Sequence, residues 1–262
     1  MKKFMILYDT HFGWEKVGQS GKLVTQPTHD IRAVRAALKF TKDFKPDIFI
    51  MGGDNHNMSF ISRHNLKKPR LVEGFSALRE YTESDRMVIK PIEESIPEDC
   101  DKIWMLGNHE YWVDLFLDQN PVLTGIIEPQ EYLHLADRGW KIIDYGGVVK
   151  IGKLNAIHGD TIRSAAKYRA SAILAQYNRS VVSGHAHTMQ SHVSTSLADW
   201  DSHVSYIIPM MGKPNPAYQN NSPNNALQGF CYGYVLPNGN FNLYTVVISN
   251  NTFAAEGKIY RG

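Results

Sequence analysis

Five short polar clusters stand out in the sequence, and each one follows a short apolar run. The clusters are Asp9-Thr10-His11, Gly53-Asp54-Asn55, Gly107-Asn108-His109-Glu110, His158-Gly159-Asp160 and Gly184-His185-Ala186-His187. Their carboxylates, carboxamides and imidazoles, without thiolates, are ligands that Mn²⁺, Fe, Zn²⁺ and similar ions accept in proteins. Seven of the side chains in these clusters are candidate ligands, which is more than one ion can hold. The clusters therefore predict a centre of two divalent metal ions.

The spacing inside the clusters favours shared metal binding. Side chains alternate along an extended segment, so residues two positions apart point to the same side. Asp9 and His11 therefore face one region, and His185 and His187 do likewise. Four of the five clusters also contain a glycine, which lets the chain turn sharply and brings its backbone close to bound ions.

The apolar runs before the clusters predict buried strands that deliver polar residues at their carboxyl ends. These runs are Lys3–Tyr8, Asp47–Met51, Lys102–Leu106, Leu154–Ile157 and Ser180–Ser183. In open α/β sheets, ligands bind at the carboxyl ends of the strands. We therefore expect the five clusters to meet in one crevice, although they are far apart in the sequence.

The segments between these strands predict an α/β fold. Apolar residues recur at helical spacing from Ile31, so we expect a helix that is capped by Thr28 and ends near Phe44. Strand, helix and strand then form a parallel, right-handed unit. Residues 56–98 predict a largely helical insertion. Beyond Thr188 the pattern is alternating and rich in turns, which indicates mostly antiparallel strands.

Length and composition limit which classes of protein are possible. The 262 residues favour a single domain over residues 1–262. A net charge of +2 does not indicate a nucleic-acid or membrane partner. No apolar run reaches the roughly 18 to 20 residues of a membrane helix, and Met1–Tyr8 lacks the features of a secretory signal. A cytoplasmic protein is therefore expected, in which Cys100 and Cys231 are ordinary thiols.

The five clusters resemble the motifs of the calcineurin-like metallophosphoesterase superfamily. Its pattern is D-x-H, G-D-x-x-D, G-N-H-[DE], a histidine in an H-G or G-H setting, and G-H-x-H. This chain supplies DTH, GDNHN, GNHE, HGD and GHAH in the same order, over residues 9–187. The resemblance implies a four-layer α/β/β/α sandwich with two mixed sheets flanked by helices. It also implies a hydrolase of phosphate esters that works by in-line attack of a hydroxide bridging two metal ions.

The same resemblance implies a role for each matching residue. It assigns Asp9, His11 and His187 to one metal ion, Asn108, His158 and His185 to the other, and Asp54 to a bridge between them. His109 is similar to the family's histidine that assists the leaving group, which an imidazolium does by donating a proton. Mn is the expected metal, and the ligand types also suit Fe, Zn, Ni or Co.

Two departures from the family pattern bear on the substrate. Asn57 stands where the second motif often ends in aspartate, so the hydrogen bonds around the ligands are expected to be rearranged or lost. Protein phosphatases of the superfamily typically carry arginines beside the second and third motifs, where this chain has Met58 and Leu106. Without those guanidiniums a phosphate dianion loses bidentate donors, which favours a phosphodiesterase.

Three functions stay open on the sequence. The favoured one is a phosphodiesterase or nuclease that acts on nucleotides or nucleic acid, since the chain also resembles phage-type phosphoesterases described as DNA-repair-exonuclease-like. The second is a phosphomonoesterase or protein phosphatase of the same superfamily. The third is a non-catalytic structural subunit, which the complete set of motif residues disfavours.

Several residues near the motifs have two interpretations. The basic run Arg63–Arg70 is either a solvated surface or a contact for a phosphate backbone. Three aromatic residues either pack in the core or stack on a base: Phe60, Tyr111 and Trp112. His56 and His64 follow the second motif, so they could line the substrate entrance.

Overall fold

Strands and helices alternate in the first half of the chain, and strands dominate the last third. The computed structural model describes residues 1–19, 22–62, 65, 67–162, 166–198, 200–214 and 224–262. The strands are β1 (Lys2–Leu7), β2 (Trp14–Gln19), β3 (Lys22–Pro27), β4 (Ile48–Met51), β5 (Asp101–Met105), β6 (Trp140–Ile143), β7 (Val149–Ile151), β8 (Leu154–Ile157), β9 (Val181–Ser183), β10 (Gln190–Thr195), β11 (Ser202–Ile207), β12 (Gly229–Val235), β13 (Phe241–Val247), β14 (Thr252–Ala255) and β15 (Lys258–Arg261). The α-helices are α1 (Ile31–Phe44), α2 (Ala77–Ser84), α3 (Lys90–Glu93), α4 (Asn108–Leu117), α5 (Pro129–Tyr132) and α6 (Arg169–Tyr177). A π-helix spans Asp85–Ile89, and 3-10 helices span Pro69–Leu71, Pro121–Leu123 and Ala166–Tyr168.

The larger sheet has six strands in the order β13-β12-β1-β4-β5-β6. Four of these strands, β1, β4, β5 and β6, are parallel to one another. They can be parallel because helical segments carry the chain back between them. At one edge of the sheet, β12 pairs antiparallel with β1, and β13 pairs antiparallel with β12. Parallel strands that are covered on both faces need continuous apolar runs, and β1 and β4 have them. The parallel unit predicted for the first fifty residues is therefore confirmed.

The smaller sheet has five strands in the order β10-β11-β9-β8-β7. Its three central strands, β8, β9 and β11, are parallel, whereas β7 and β10 are antiparallel to their neighbours. Beyond Thr188 the strands pair antiparallel as predicted, except that β11 lies parallel to β9. Two hairpins, β2–β3 and β14–β15, form separate two-stranded sheets.

Three buried apolar clusters separate four layers. Phe40 of α1 packs with Phe49 of β4 in the cluster between the helices and the larger sheet. The next residue, Ile50, faces the opposite way, because strand side chains alternate, and it packs with Leu154 between the two sheets. On the outer face of the smaller sheet, Ile173 of α6 belongs to the third cluster. The four-layer α/β/β/α sandwich and its two mixed sheets are therefore confirmed.

Helix α1 begins at a different cap from the predicted one. The Oδ1 atom of Asp30 accepts hydrogen bonds from the N–H groups of Arg32 (3.0 Å) and Ala33 (3.2 Å), so Asp30 is the N-cap. The prediction that Thr28 caps the helix was wrong. Its hydroxyl instead donates to the carbonyl of His11 (2.6 Å), which ties the start of the helix to the first polar cluster.

Residues 77–93 form a nearly continuous helical run that consists of α2, the π-helix and α3. Arg138, in the loop before β6, anchors this run through charge-assisted hydrogen bonds. Its guanidinium donates to Glu93 at 2.6 and 3.1 Å and to Asp85 at 2.6 Å. None of the helices in the described part of the chain has the length and apolar character needed to cross a membrane.

The packing between the sheets can be tested at Leu154, which is fully buried there. Leu154→Ala leaves a cavity between two layers that cannot easily collapse, so the free energy of unfolding should fall by about 2–5 kcal/mol. Val122→Ala, at a side chain that is 83% exposed, should change it by less than about 0.5 kcal/mol. Urea-induced unfolding measures both values, and equal stabilities for the two variants would contradict the layered packing.

Candidate metal centre

The five polar clusters meet at one edge of the two sheets. Strands β1, β4 and β5 of the larger sheet end there, and so do β8 and β9 of the smaller sheet. Backbone hydrogen bonds tie the clusters together in pairs. The N–H of His11 donates to the carbonyl of Asp54 at 2.9 Å, and the N–H of Gly184 donates to the carbonyl of His158 at 3.0 Å. The structure thus brings together residues that are far apart in the chain, such as Asp9 and His185, which are separated by 176 positions.

One group of possible metal ligands consists of Asp9, His11 and His187, whose ligand atoms lie within 4.8 Å of one another. The Nε2 atoms of the two histidines are 3.1 Å apart. Asp9 Oδ1 lies 3.6 Å from Nε2 of His187 and 4.0 Å from Nε2 of His11. These are the three residues that the resemblance assigns to the first metal ion.

A second group consists of Asp54, His158 and His185, which also satisfy this distance limit. Nε2 of His158 lies 3.3 Å from Asp54 Oδ1 and 3.1 Å from the side-chain oxygen of Asn108. The resemblance assigns Asn108, His158 and His185 to the second metal ion. The structure therefore places His158 and His185 beside Asp54, and it places Asn108 beside His158.

Asp54 lies between the two groups. Its Oδ1 atom faces His158, whereas Oδ2 lies 3.9 Å from Nε2 of His11 and 3.7 Å from Nε2 of His109. The two oxygens of one buried carboxylate thus point at different sets of imidazoles. Such an arrangement suits a carboxylate that is shared by two ions.

The hydrogen-bond pattern of the site fits metal ions. Nδ1 of His158 lies 3.1 Å from the carbonyl of Gly52, and a proton donated there leaves the lone pair of Nε2 facing the oxygens of Asp54 and Asn108. In the neutral ring these acceptors face one another, and in the absence of metal ions a second proton on His158 takes the place of a cation between them. In addition, Oδ1 of Asp9 is buried and has no hydrogen-bond partner among the residues that the structure describes. A cation between these atoms satisfies all of them.

The pKa values of the buried histidines also fit bound metal ions. Burial, together with His109 and His187, lowers the pKa of His11 well below its ordinary value, so its ring is neutral and available as a ligand. Burial alone would also lower the pKa of His158, but the carboxylates of Asp54 and Asp9 raise it to about 10. The oxygens around His158 therefore call for positive charge, which a metal ion supplies.

Five of the seven predicted ligands have a left-handed backbone, which is rare for residues other than glycine. Their φ angles are 53° for Asp9, 44° for His11, 50° for Asp54, 62° for His185 and 57° for His187. Each such conformation costs on the order of 1–3 kcal/mol and persists only where the surroundings impose it. The backbone is therefore strained at the positions after the strands where these side chains turn inward.

Two glycines let the polar clusters approach one another. A Cβ atom at position 107 would lie 2.3 Å from the backbone nitrogen and from Oδ1 of Asp54. At position 184 it would lie 2.5 Å from Oδ2 of Asp9. Both distances are too short for any side chain, so positions 107 and 184 require glycine for the clusters to come this close.

Glu110 holds the loop of Asp54 in place, a role that the sequence analysis missed. Its buried carboxylate accepts four backbone hydrogen bonds. The donors are the N–H groups of Asp54 (3.0 Å), Asn55 (2.8 Å), His56 (3.0 Å) and Gly107 (2.9 Å). The only signal in the sequence is a glutamate at the third position of a helix that begins in a polar cluster.

His109 is oriented by a backbone carbonyl. Its Nδ1 atom lies 2.7 Å from the carbonyl oxygen of Asn57, and its ring stacks on Trp112 with centroids 4.0 Å apart. The side chain of Asn57 points elsewhere and donates to the carbonyl of Trp14 at 3.4 Å. At position 57 the backbone carbonyl, and not the side chain, therefore contacts His109.

The aromatic residues near the motifs make contacts within the protein. Trp112 and Phe60 pack against the larger apolar cluster. Tyr111 stacks on Tyr145 with centroids 4.2 Å apart, and the hydroxyl of Tyr145 donates to Asp160. These contacts favour the packing interpretation over stacking on a base.

One of the two histidines expected at the entrance lies elsewhere. His56 is only 1% exposed, and its Nε2 atom lies 2.7 Å from the hydroxyl of Ser84, so its placement at an entrance was wrong. Hydrogen bonding to Glu110 turns its loop inward. His64 lies outside the described residues, as do Arg63 and Leu66 of the basic run, whereas residues 67–70 are exposed.

No protein-family model and no curated protein matches the sequence. Among solved structures, Vps29 of Chaetomium thermophilum has 10% identity, covers 100% of this chain and 99% of its own, and gives a TM-score of 0.45. A dimetal phosphatase of Danio rerio has 11% identity, coverage of 90% and 93%, and a TM-score of 0.41. NAD nucleotidase of Haemophilus influenzae has 11% identity and a TM-score of 0.39, and the chain matches over 99% of its length but spans 53% of that protein. Similarity at this level carries no conclusion about activity.

The role of Glu110 can be tested with Glu110→Gln, which keeps the volume of the side chain. Each carboxylate oxygen accepts two backbone N–H groups, so an amide nitrogen in either position leaves two buried donors unpaired. At about 1–3 kcal/mol for each donor, the free energy of unfolding should fall by at least about 2 kcal/mol. Chemical denaturation measures this loss. Glu98→Gln, at an exposed glutamate, is the control and should leave stability unchanged; a stable Glu110→Gln protein would contradict the positioning role.

Proposed function

We propose that this protein is a hydrolase of phosphate esters that uses two divalent metal ions. The observation that carries the proposal is the buried Asp54 carboxylate, whose two oxygens face two separate groups of histidines. A single structural ion would not require a carboxylate aimed in two directions. A solvated polar surface would not require the burial and the strained backbone of these residues.

The ligands in this proposal are those that the resemblance implied. Asp9, His11 and His187 hold one ion, Asn108, His158 and His185 hold the other, and Asp54 is shared. When bound, the two ions polarise the phosphate oxygens and make a water molecule nucleophilic at neutral pH. Oxygen and nitrogen ligands without sulfur suit Mn²⁺, which we propose as the preferred metal, and they also suit Fe, Zn, Ni and Co.

His109 serves the leaving group in this proposal. Its Nδ1 atom is engaged by the carbonyl of Asn57, so Nε2 is the atom turned towards the centre, 3.7 Å from Oδ2 of Asp54. Stacking on Trp112 restricts rotation of the ring. A protonated His109 can therefore donate a hydrogen from Nε2 to an oxygen that leaves phosphorus.

We propose phosphodiesters, and among them nucleotides or nucleic acid, as the substrates. The support is that Met58 and Leu106 stand where the related protein phosphatases carry arginines for a terminal phosphate. A diester carries one negative charge fewer than a monoester dianion and needs fewer such donors. A phosphomonoesterase or protein phosphatase is the second candidate.

Hydrolysis assays decide among these candidates. Purified protein loaded with Mn²⁺ should hydrolyse bis-p-nitrophenyl phosphate faster than p-nitrophenyl phosphate, phosphopeptides or phosphate-free esters. Single-stranded DNA, double-stranded DNA and dinucleotides then identify the class of diester. Preference for the monoester or for phosphopeptides would support the second candidate, and no turnover with any metal would indicate a non-catalytic subunit.

The shared position of Asp54 predicts that Asp54→Asn weakens the binding of both ions. The amide keeps the shape of the side chain but removes the negative charge between the two groups, so Mn²⁺ affinity should fall by at least about 100-fold. Titration calorimetry on metal-free protein measures the affinity and the stoichiometry. Asp99→Asn, at an exposed aspartate, should bind two ions as the wild type does. Two ions bound to Asp54→Asn with unchanged affinity would refute the bridging assignment.

The role of His109 predicts a rate loss that depends on the leaving group. His109→Gln should slow hydrolysis of diesters with alkoxide leaving groups by about 10²- to 10⁴-fold, since an alkoxide needs a proton. A p-nitrophenolate leaving group needs none, so its rate should fall much less, and the metal content should stay unchanged. Steady-state kinetics with both kinds of diester measure this difference. His134→Gln, at an exposed histidine, is the control, and equal losses for both leaving groups would contradict the assignment.

A further inference from the structure

Arg169 contacts the loop that follows His158, although no motif of the sequence includes it. It is the first residue of α6, and its Nη2 atom donates to the carbonyl of Ile162 at 2.9 Å. Ile162 follows His158 by four residues, in the loop that leaves β8. Arg169 is therefore attached to the chain segment that carries one of the predicted ligands.

The packing around α6 brings the same region close to the last motif. The residue after Arg169, Ala170, belongs to the third apolar cluster together with Ile162. Ala186 packs against this cluster, and it stands between His185 and His187. The beginning of α6 therefore shares an apolar cluster with the loops that follow β8 and β9.

The guanidinium of Arg169 is only partly satisfied. Its Nε atom is buried and has no hydrogen-bond partner in the described part of the chain. A buried donor without a partner costs roughly 1–3 kcal/mol, and more when it belongs to a charged group. A donor that stays unpaired at such a cost, close to a binding site, indicates a ligand that completes it.

The guanidinium of Arg169 interacts electrostatically with two acidic residues, Asp160 and Asp9. Burial lowers the pKa of Arg169, and the negative charges of Asp160 and Asp9 oppose this effect without cancelling it. Asp160 is already engaged by the hydroxyl of Tyr145, and Asp9 belongs to the first group of ligands. Asp160 and Asp9 thus act on the guanidinium through their charges, and neither accepts a hydrogen bond from its Nε atom.

We propose that Arg169 is a substrate-binding residue that donates hydrogen bonds to a non-bridging oxygen of the phosphate group. This inference rests on the proposed function and names a further contact of the same site. The guanidinium supplies a charge-assisted donor from α6, a different part of the fold from the motif positions Met58 and Leu106 that lack arginine. A single anchored guanidinium suits the single charge of a phosphodiester.

Arg169→Gln and Arg169→Lys test the proposal. Gln keeps a donor for the carbonyl of Ile162 but removes the charge and the Nε group, and Lys keeps the charge but not the planar fork. The matched control is Arg179→Gln. Arg179 lies just beyond the other end of α6, is exposed, and also donates to a carbonyl, that of Asn178 at 2.7 Å.

The first measurement is the affinity of the Mn²⁺-loaded protein for inorganic phosphate, by titration calorimetry. Arg169→Gln should bind phosphate roughly 10- to 100-fold more weakly than the wild type, Arg169→Lys should lie between them, and Arg179→Gln should match the wild type. Affinity for Mn²⁺ in the absence of phosphate should be the same in all four proteins. In turnover of a diester, KM should rise in Arg169→Gln by more than kcat falls.

Wild-type phosphate affinity in Arg169→Gln and in Arg169→Lys would overturn the inference, as would a wild-type protein that binds no phosphate. A loss of phosphate binding that merely follows a loss of Mn²⁺ would overturn it too, because Arg169 would then support the metal site. If Arg169→Gln shows no cooperative unfolding transition, it is not properly folded. The phosphate affinity of Arg169→Lys then decides whether the inference holds. A wild type that binds phosphate through Arg169 but hydrolyses no ester would refute the proposed function and leave this inference standing.

Discussion

The carboxylate of Asp54 must face two groups of histidines at once, and the remaining structure depends on this constraint. His11 reaches it from the larger sheet, whereas His158 and His185 reach it from the smaller one. Each group combines residues from both sheets, since His187 follows β9 and joins Asp9 and His11. The geometry of the site therefore depends on the apolar layer between the sheets, in which side chains such as Ile50 and Leu154 pack. Close packing in that layer transmits any change in sheet spacing to the site.

The site is costly to build without its ions. Carboxylates and imidazoles are buried together, ligands with left-handed backbones hold strain, and acceptors such as Asp9 Oδ1 lack partners among the described residues. Glu110 offsets part of this cost, because its carboxylate satisfies four backbone donors in the loop of Asp54. In the proposed function, metal ions supply the remaining compensation, which couples their binding to folding.

Much of the fold could be predicted because its signals are local. Each apolar run that stops at a polar cluster marks a strand and its carboxyl end, and parallel strands bring such ends to one edge. Predictions that depended on competition between neighbours were less successful. Thr28 and Asp30 are both good caps, and the choice went to Asp30 because the hydroxyl of Thr28 bonds to His11 instead. His56 likewise turned inward because Glu110 and Ser84 hold it there.

The sequence by itself determined the ligand types, their order and their delivery at strand ends, because these follow from residue chemistry and the two-residue period of a strand. Tertiary structure alone decided which oxygen of Asp54 faces which histidine, and that a carbonyl orients His109. It also attached Arg169, from a helix without any motif, to the loop that follows His158. These relations join residues that are distant in the chain, so they depend on how the layers pack, which no local pattern encodes.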